Sequence, residues 1–226
     1  MFSVLQFPGS NDDRDLRFAM KSVLGGEARL VWHKEPALPA GTAAVLVPGG
    51  FSYGDYLRCG AMARFSPIMA DVRRFADAGG PVLGICNGFQ ILCEARLLPG
   101  ALLVNEHLKF TCRQVLVSVE GTDTPFTSGC TTGETLSMPV KHTTGRWFAP
   151  PGVLEQVEAA GQVTLRYADG TNPNGSLHDV AGVANEQGNV FGLMPHCEHA
   201  TDELTGSTDG LRLFGSLATH LSAIPA

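Results

Sequence analysis

Cys86 sits in Gly84-Ile85-Cys86-Asn87-Gly88, between a short apolar run and a stretch with helical periodicity. Small residues two before and two after a nucleophile are what a sharp strand-to-helix turn needs, because the backbone there is crowded and strained. Such a turn lifts the sulfur to a helix N-terminus, where the positive end of the dipole favours the reactive thiolate. The Asn87 N–H then points toward an oxyanion formed on any carbon the sulfur attacks. A cysteine that ends a buried strand can equally be packed there as a small hydrophobe, and Cys93 is read as core in that way.

A thiol nucleophile needs a base, and the base needs an orienting group. His196 and Glu198 supply both, just after an apolar run that ends in Met194-Pro195. In extended backbone, residues two apart face the same way, so this carboxylate and imidazole can hydrogen-bond and fix the ring's tautomer. His33, His107, His178, His199 and His220 have no such company and read as structural. A zinc site at His196, Cys197 and His199 is the competing chemistry. Adjacent ligands rarely reach one tetrahedral centre, however, and no second ligand cluster exists. Pro48-Gly49-Gly50-Phe51 follows another apolar run and offers a second oxyanion donor, since glycine lets backbone N–H groups approach a ligand. Alone, it would read as an ordinary turn.

The elements that must carry these residues are legible as periodicities. Residues 2–7, 28–31, 43–47 and 81–85 read as strands, the last apolar throughout, as in a strand buried on both faces. Asn11-Asp12-Asp13 should cap a helix reaching residue 24, residues 61–78 read as one helix stopped by Gly79-Gly80, and residues 87–96 as another. This alternation implies βα units and a parallel sheet with helices on both faces. From 110 to 194 the pattern turns to strands and turns, at 114–120, 135–140, 162–167, 180–185 and 189–194, before a closing helix at 209–221. No repeat or linker interrupts the chain, which reads as one domain over 1–226. A net charge of −6 argues against nucleic acid and anionic membrane as partners. No apolar run is long enough to span a membrane, no signal peptide is visible, and six scattered cysteines fit a reducing, cytoplasmic setting.

These motifs together resemble the class I glutamine amidotransferases, with their Cys-His-Glu triad. Within that class the chain is similar to the glutaminase subunits of phosphoribosylformylglycinamidine synthases. The elbow and the His-x-Glu pair specify only the class. The glycine-rich run at 47–61 and the turn Asn172-Pro173-Asn174-Gly175-Ser176 carry the narrower likeness, with further matches at 7–11, 98–102 and 206–210. The resemblance implies a flavodoxin-like α/β fold with a mostly parallel central sheet and helices on both faces. It gives Cys86 the role of nucleophile, His196 of base and Glu198 of its orienter. Gly50 and Asn87 would offer oxyanion N–H groups, and Gln90 would help hold substrate glutamine. No metal or cofactor is implied in this chain. ATP and Mg belong to a large synthetase partner that converts formylglycinamide ribonucleotide to its amidine, with room for a small third subunit.

Two departures stand out. The family usually has Pro and Arg around the triad glutamate, where this chain has Cys197 and His199. It also tends to show His-Gly-Glu-Gly, where this chain has His142-Thr143-Thr144-Gly145, expected on a partner or substrate face. Three rival readings remain: a glutaminase subunit of another biosynthetic synthetase, such as those for guanylate, anthranilate or pyridoxal phosphate; a cysteine hydrolase or chaperone-like protein; and an inactive binding module.

Overall fold

The computed structural model describes residues 1–223, leaving aside the Val23 side chain. Strand β1 (Phe2–Gln6) leads through helix α1 (Asp13–Leu24) to β2 (Ala28–Trp32), which lies parallel beside it. On the other edge of β1 lies β3 (Ala44–Val47), and α2 (Ile68–Asp77) crosses from it to β4 (Val82–Ile85), again parallel. The connections leave β1 and β3 in opposite directions, so right-handed crossovers put α1 and α2 on opposite faces. Helix α3 (Asn87–Glu94) follows β4 at once.

The remaining strands are β5 (Ala101–Val104), β6 (Thr111–Val119), β7 (Thr135–His142), β8 (Thr144–Phe148), β9 (Val163–Tyr167), β10 (Val180–Ala184) and β11 (Val190–Leu193). Helix α4 (Pro151–Ala159) precedes β9, and α5 (Gly210–Ala223) closes the described chain against α1. One nine-stranded sheet runs in the order β2-β1-β3-β4-β11-β10-β9-β6-β7, while β5 and β8 pair separately. The strands from β2 to β11 in that order are parallel, and those from β11 to β7 antiparallel. The parallel half is the one the βα alternation implied, and the antiparallel half extends it by four strands.

Strands β3 and β4 are buried along their whole length. Each Val or Leu side chain so buried contributes roughly 1.5–3 kcal/mol. Helix α1 buries Leu16, Ala19 and Met20 and leaves Phe18 exposed. Two expectations need correction. The 61–78 segment is not one helix: a short turn at Ala63–Phe65 ends in an extended Ser66, and α2 starts only after Pro67. Proline disfavours the helical conformation in the residue before it. At the start of α1, Asp12 occupies the capping position without making a side-chain cap. Its carboxylate binds Lys141 instead, with Nζ 2.6 Å from Oδ1. Strands β5 and β8 and helix α4 had no counterpart among the periodicities of the sequence.

In open α/β sheets, ligands bind beyond the carboxyl ends of the strands, where the strand order reverses. Here that point lies between β1 and β3. Asp12, Gly49 and Gly50, Cys86 and His196 follow the ends of β1, β3, β4 and β11 respectively.

Candidate active site

Cys86 is the single residue between β4 and α3, with φ 50° and ψ −103°. A non-glycine residue in that region carries on the order of 1–3 kcal/mol of strain and persists only where its surroundings fix it. Those surroundings are visible. The Cys86 N–H donates to Leu193 O at 2.8 Å, tying the turn to β11. A β-carbon on Gly88 would overlap the Val47 carbonyl, and one on Gly84 would stand 2.8 Å from the Gly88 carbonyl carbon. The two glycines are therefore needed because α3 starts in contact with β3 and β4.

His196 Nδ1 and Glu198 Oε1 are 2.6 Å apart, with both side chains buried. The pairing expected from extended backbone exists, but a tight turn at Cys197–His199 creates it. The His196 N–H donates to Pro139 O at 2.8 Å, which anchors the histidine to β7. Burial disfavours the imidazolium, yet the Glu198 carboxylate and the Cys86 sulfur outweigh it and raise His196 to about 10. Burial likewise pushes Glu198 up, and the His196 charge brings it below the usual carboxylate range. Nε2, on the far side of the ring from Nδ1, has no hydrogen bond of ordinary geometry. The Cys86 side chain is nonetheless near enough to the imidazole to favour its protonated form.

A second carboxylate faces the same ring. Asp12 Oδ2 lies 3.7 Å from His196 Nδ1, and a β-carbon on Gly49 would meet His196 Cε1 at 2.7 Å. His199 stacks on His196 with centroids 5.3 Å apart and planes 14° from parallel. Asp12, His196, Glu198 and His199 thus bring metal-ligand atoms within 4.8 Å of one another, a set that omits the Cys197 of the zinc reading. Some of these atoms are already engaged, His196 Nδ1 by Glu198 and Asp12 Oδ1 by the Lys141 ammonium, whose charge opposes a second cation. The Cys197 thiol is pushed well up by burial and the Glu198 charge, and so is a poor metal ligand or nucleophile.

Gly50, Phe51, Asp55, Cys59, Cys86, Gln90, Lys141, His142, Thr143 and Thr144 line a pocket of about 40 Å³. The Gly50 and Asn87 N–H groups donate to no protein acceptor among the described residues; Gly50 has φ 135°, and α3 has no side-chain cap. Gln90 has internal partners, accepting from Asn87 Nδ2 at 2.7 Å and donating to the Thr144 carbonyl. Asn87 also accepts the Ser52 N–H at 3.1 Å, joining the elbow to the loop after β3. That loop is strained at Tyr53, Asp55 and Leu57, with φ between 55° and 70°, while Gly54 takes φ 66° without a steric cost. Tyr53 OH bonds to His33 Nδ1 at 3.0 Å and Ser66 Oγ at 3.3 Å, while Tyr56 and Leu57 stand exposed. Motif and spacing did not place Asp12, Lys141 or Cys59 at the site. Asp12 looked like a cap, and Lys141 and Cys59 carry no local pattern. The 142–145 departure does face the pocket.

Residues 2–211 match the family described as the CobB/CobQ-like glutamine amidotransferase domain. The chain belongs to this glutamine amidotransferase family. It is 53% identical to a phosphoribosylformylglycinamidine synthase subunit PurQ of Salinibacter ruber, over 100% of this chain and 98% of that one. It is 54% identical to the subunit of the same name from Rubrobacter xylanophilus, over 95% and 96%. Among solved structures, a chain of PurLQS from Thermotoga maritima superposes with a TM-score of 0.88 at 43% identity, covering 97% of this chain and 98% of that one. Another glutamine amidotransferase of Thermotoga maritima, at 14% identity and a TM-score of 0.62, shares the fold over 99% and 98%. Among the described residues, no helix is long and apolar enough to cross a membrane.

Proposed function

We propose that this chain is the glutaminase subunit of a phosphoribosylformylglycinamidine synthase, acting through Cys86, His196 and Glu198. It would pass ammonia to a large synthetase subunit that converts formylglycinamide ribonucleotide to formylglycinamidine ribonucleotide. The observation that carries the reading is a strained cysteine at a strand-to-helix elbow beside a buried, hydrogen-bonded His-Glu pair. Relatives at 53% and 54% identity that bear the PurQ name, and the likeness to a chain of PurLQS, support the choice of partner. ATP and Mg are assigned to that partner. A single domain and a cytoplasmic setting complete the reading, with all six cysteines free.

The Cys86 sulfur attacks the carboxamide carbon of glutamine, and the oxyanion so formed accepts from the Gly50 and Asn87 N–H groups. Losing one such donor typically costs about 100- to 1,000-fold in rate. His196 gives its proton to the departing nitrogen as the C–N bond breaks, leaving a γ-glutamyl thioester. It then takes a proton from the water that bonds to the acyl carbon, and the C–S bond breaks to release glutamate and the Cys86 thiolate. Glu198 holds the ring and balances its charge throughout.

A pocket of about 40 Å³ has room for only a few waters. Small-molecule sites run to roughly 300 Å³ and above. Glutamine therefore enters only if a wall moves, and the strained segment 51–59 is that wall. We assign docking of the synthetase to the exposed apolar residues of this segment, so that partner binding reshapes the pocket. The test is ammonia and glutamate release from glutamine, alone and with the large subunit, for wild type and Cys86→Ala. Partner-stimulated turnover that Cys86→Ala abolishes supports the reading. Activity surviving that change overturns the mechanism, and turnover indifferent to this partner points to another synthetase.

A further inference from the structure

Along β7 the buried register holds Leu136, Met138, Val140 and then His142, a titratable ring where the pattern calls for an apolar side chain. His142 is 2% exposed and borders the pocket beside Cys86. Its neighbours fix which nitrogen bears the proton. Asn174 Oδ1 accepts the Ser176 backbone N–H at 3.0 Å, and a backbone N–H can only donate, so the orientation of the Asn174 amide is set. The Nδ2 amino group of Asn174 then lies 3.0 Å from His142 Nε2 and 2.9 Å from Gly145 O. An amide nitrogen donates and does not accept, so Nε2 is the acceptor and the proton of the neutral ring sits on Nδ1. Burial, helped by the charges of His196 and His107, holds the ring neutral by lowering it to about 3.

This Nδ1 is buried and meets no acceptor among the described residues. Buried N–H groups are rarely left unpaired, because water offered them a bond that folding removes. The open space bordered by His142 is the pocket over Cys86. We propose that His142 is a substrate-binding residue, its Nδ1–H donating to an acceptor oxygen of the bound glutamine, with Asn174 the positioning residue that sets the tautomer. This rests on the glutaminase reading and extends it to a residue outside the triad. It also gives the turn at 172–176 a task. Asn172 Oδ1 accepts the N–H groups of Asn174 and Gly175 at 3.2 and 3.0 Å, which presents Asn174 to the ring.

Two substitutions separate substrate binding from packing. An asparagine amide nitrogen stands about where Nδ1 was, and a glutamine amide about where Nε2 was. His142→Asn therefore keeps the donor toward the pocket, whereas His142→Gln keeps only the contact with Asn174. In the full chain assembled with its synthetase, His142→Gln should raise KM for glutamine roughly 10- to 100-fold. His142→Asn should bring it back to within about 5-fold of wild type, both with smaller changes in kcat. In ¹⁵N spectra, the wild-type ring should carry its proton on Nδ1, and Asn174→Asp should move a proton to Nε2. Should the His142 variants fail to fold, the Cys86→Ala protein, unable to consume glutamine, provides the second measurement. Saturating glutamine should shift its His142 Nδ1–H resonance. A His142→Gln enzyme with wild-type KM, a wild-type ring protonated on Nε2, or a resonance unmoved at saturation overturns the proposal while Cys86-dependent glutaminase survives. Absence of that glutaminase in the wild-type complex would overturn the function reading and this proposal together.

Discussion

The two sides of Cys86, the His196–Glu198 pair and the loop after β3, are built in opposite ways. On one side, His196 and Glu198 are buried, bonded to each other at 2.6 Å and anchored to β7. On the other, four of the five residues 53–57 have left-handed backbone, and Tyr56 and Leu57 are 75% and 91% exposed. Chemistry needs groups held within fractions of an ångström, and burial together with the Nδ1–Oε1 bond supplies that. Admission of substrate needs a wall whose conformations lie close in energy, and stored strain supplies that. Cys86 belongs to both regimes: its backbone is strained, but β11, Gly84 and Gly88 leave it no alternative.

The sharpest way to break this comparison is at Cys86, the proposed nucleophile. Cys86→Ala should lower glutaminase turnover by on the order of 10⁴-fold or more without loss of fold, as circular dichroism would check. Next, Glu198→Gln should reduce kcat/KM by roughly 10²- to 10⁴-fold. It should also move the alkaline limb of the pH–rate profile below its wild-type position near pH 10, because the carboxylate that raises His196 is gone. An unmoved limb would detach His196 from that titration.

The same shift makes a stability statement. His196 is raised from 6.5 to about 10, so its contribution is full below pH 6.5 and is lost as pH climbs through 10. Wild-type Tm should therefore fall across that window, and fall less in Glu198→Gln. On the strained wall, Tyr53→Phe removes the bonds to His33 and Ser66, a net loss of about 1 kcal/mol. It should change partner-free turnover by no more than about 5-fold, the free energy of one such bond, and leave the pH profile in place. A shifted profile would mean that the two sides are coupled. The smallest effect is at the elbow itself: Cys86→Gly should unfold about 1 kcal/mol later than Cys86→Ala, since glycine tolerates φ 50°.

What could be read from sequence follows the same division. The elbow is legible because glycine spacing, an apolar strand and a helix start fall within ten residues, and β4 and α3 meet where that spacing placed them. His196 and Glu198 were legible as a pair, although a tight turn brings them together where extended backbone was expected. Contacts made between distant segments were not legible. Lys141 reaches Asp12 across 129 residues of chain, and Asn174 reaches His142 across 32. Nothing local marks either pair. Strands β5 and β8 also escaped, because Ala101–Val104 and Thr144–Phe148 are short, and each finds its partner only in the folded chain. The periodicity over 61–78 misled for the reverse reason: a valid apolar pattern was overruled by one proline.

The most direct test of the account labels the pocket with an electrophilic analogue of glutamine and locates the adduct by peptide mass spectrometry. Cys59 borders the same pocket but is pushed up to about 12 by burial and Asp55. The account predicts a single adduct on Cys86, slowed in His196→Ala and absent in Cys86→Ala. An adduct on Cys59, or labelling at Cys86 that does not depend on His196, would contradict it.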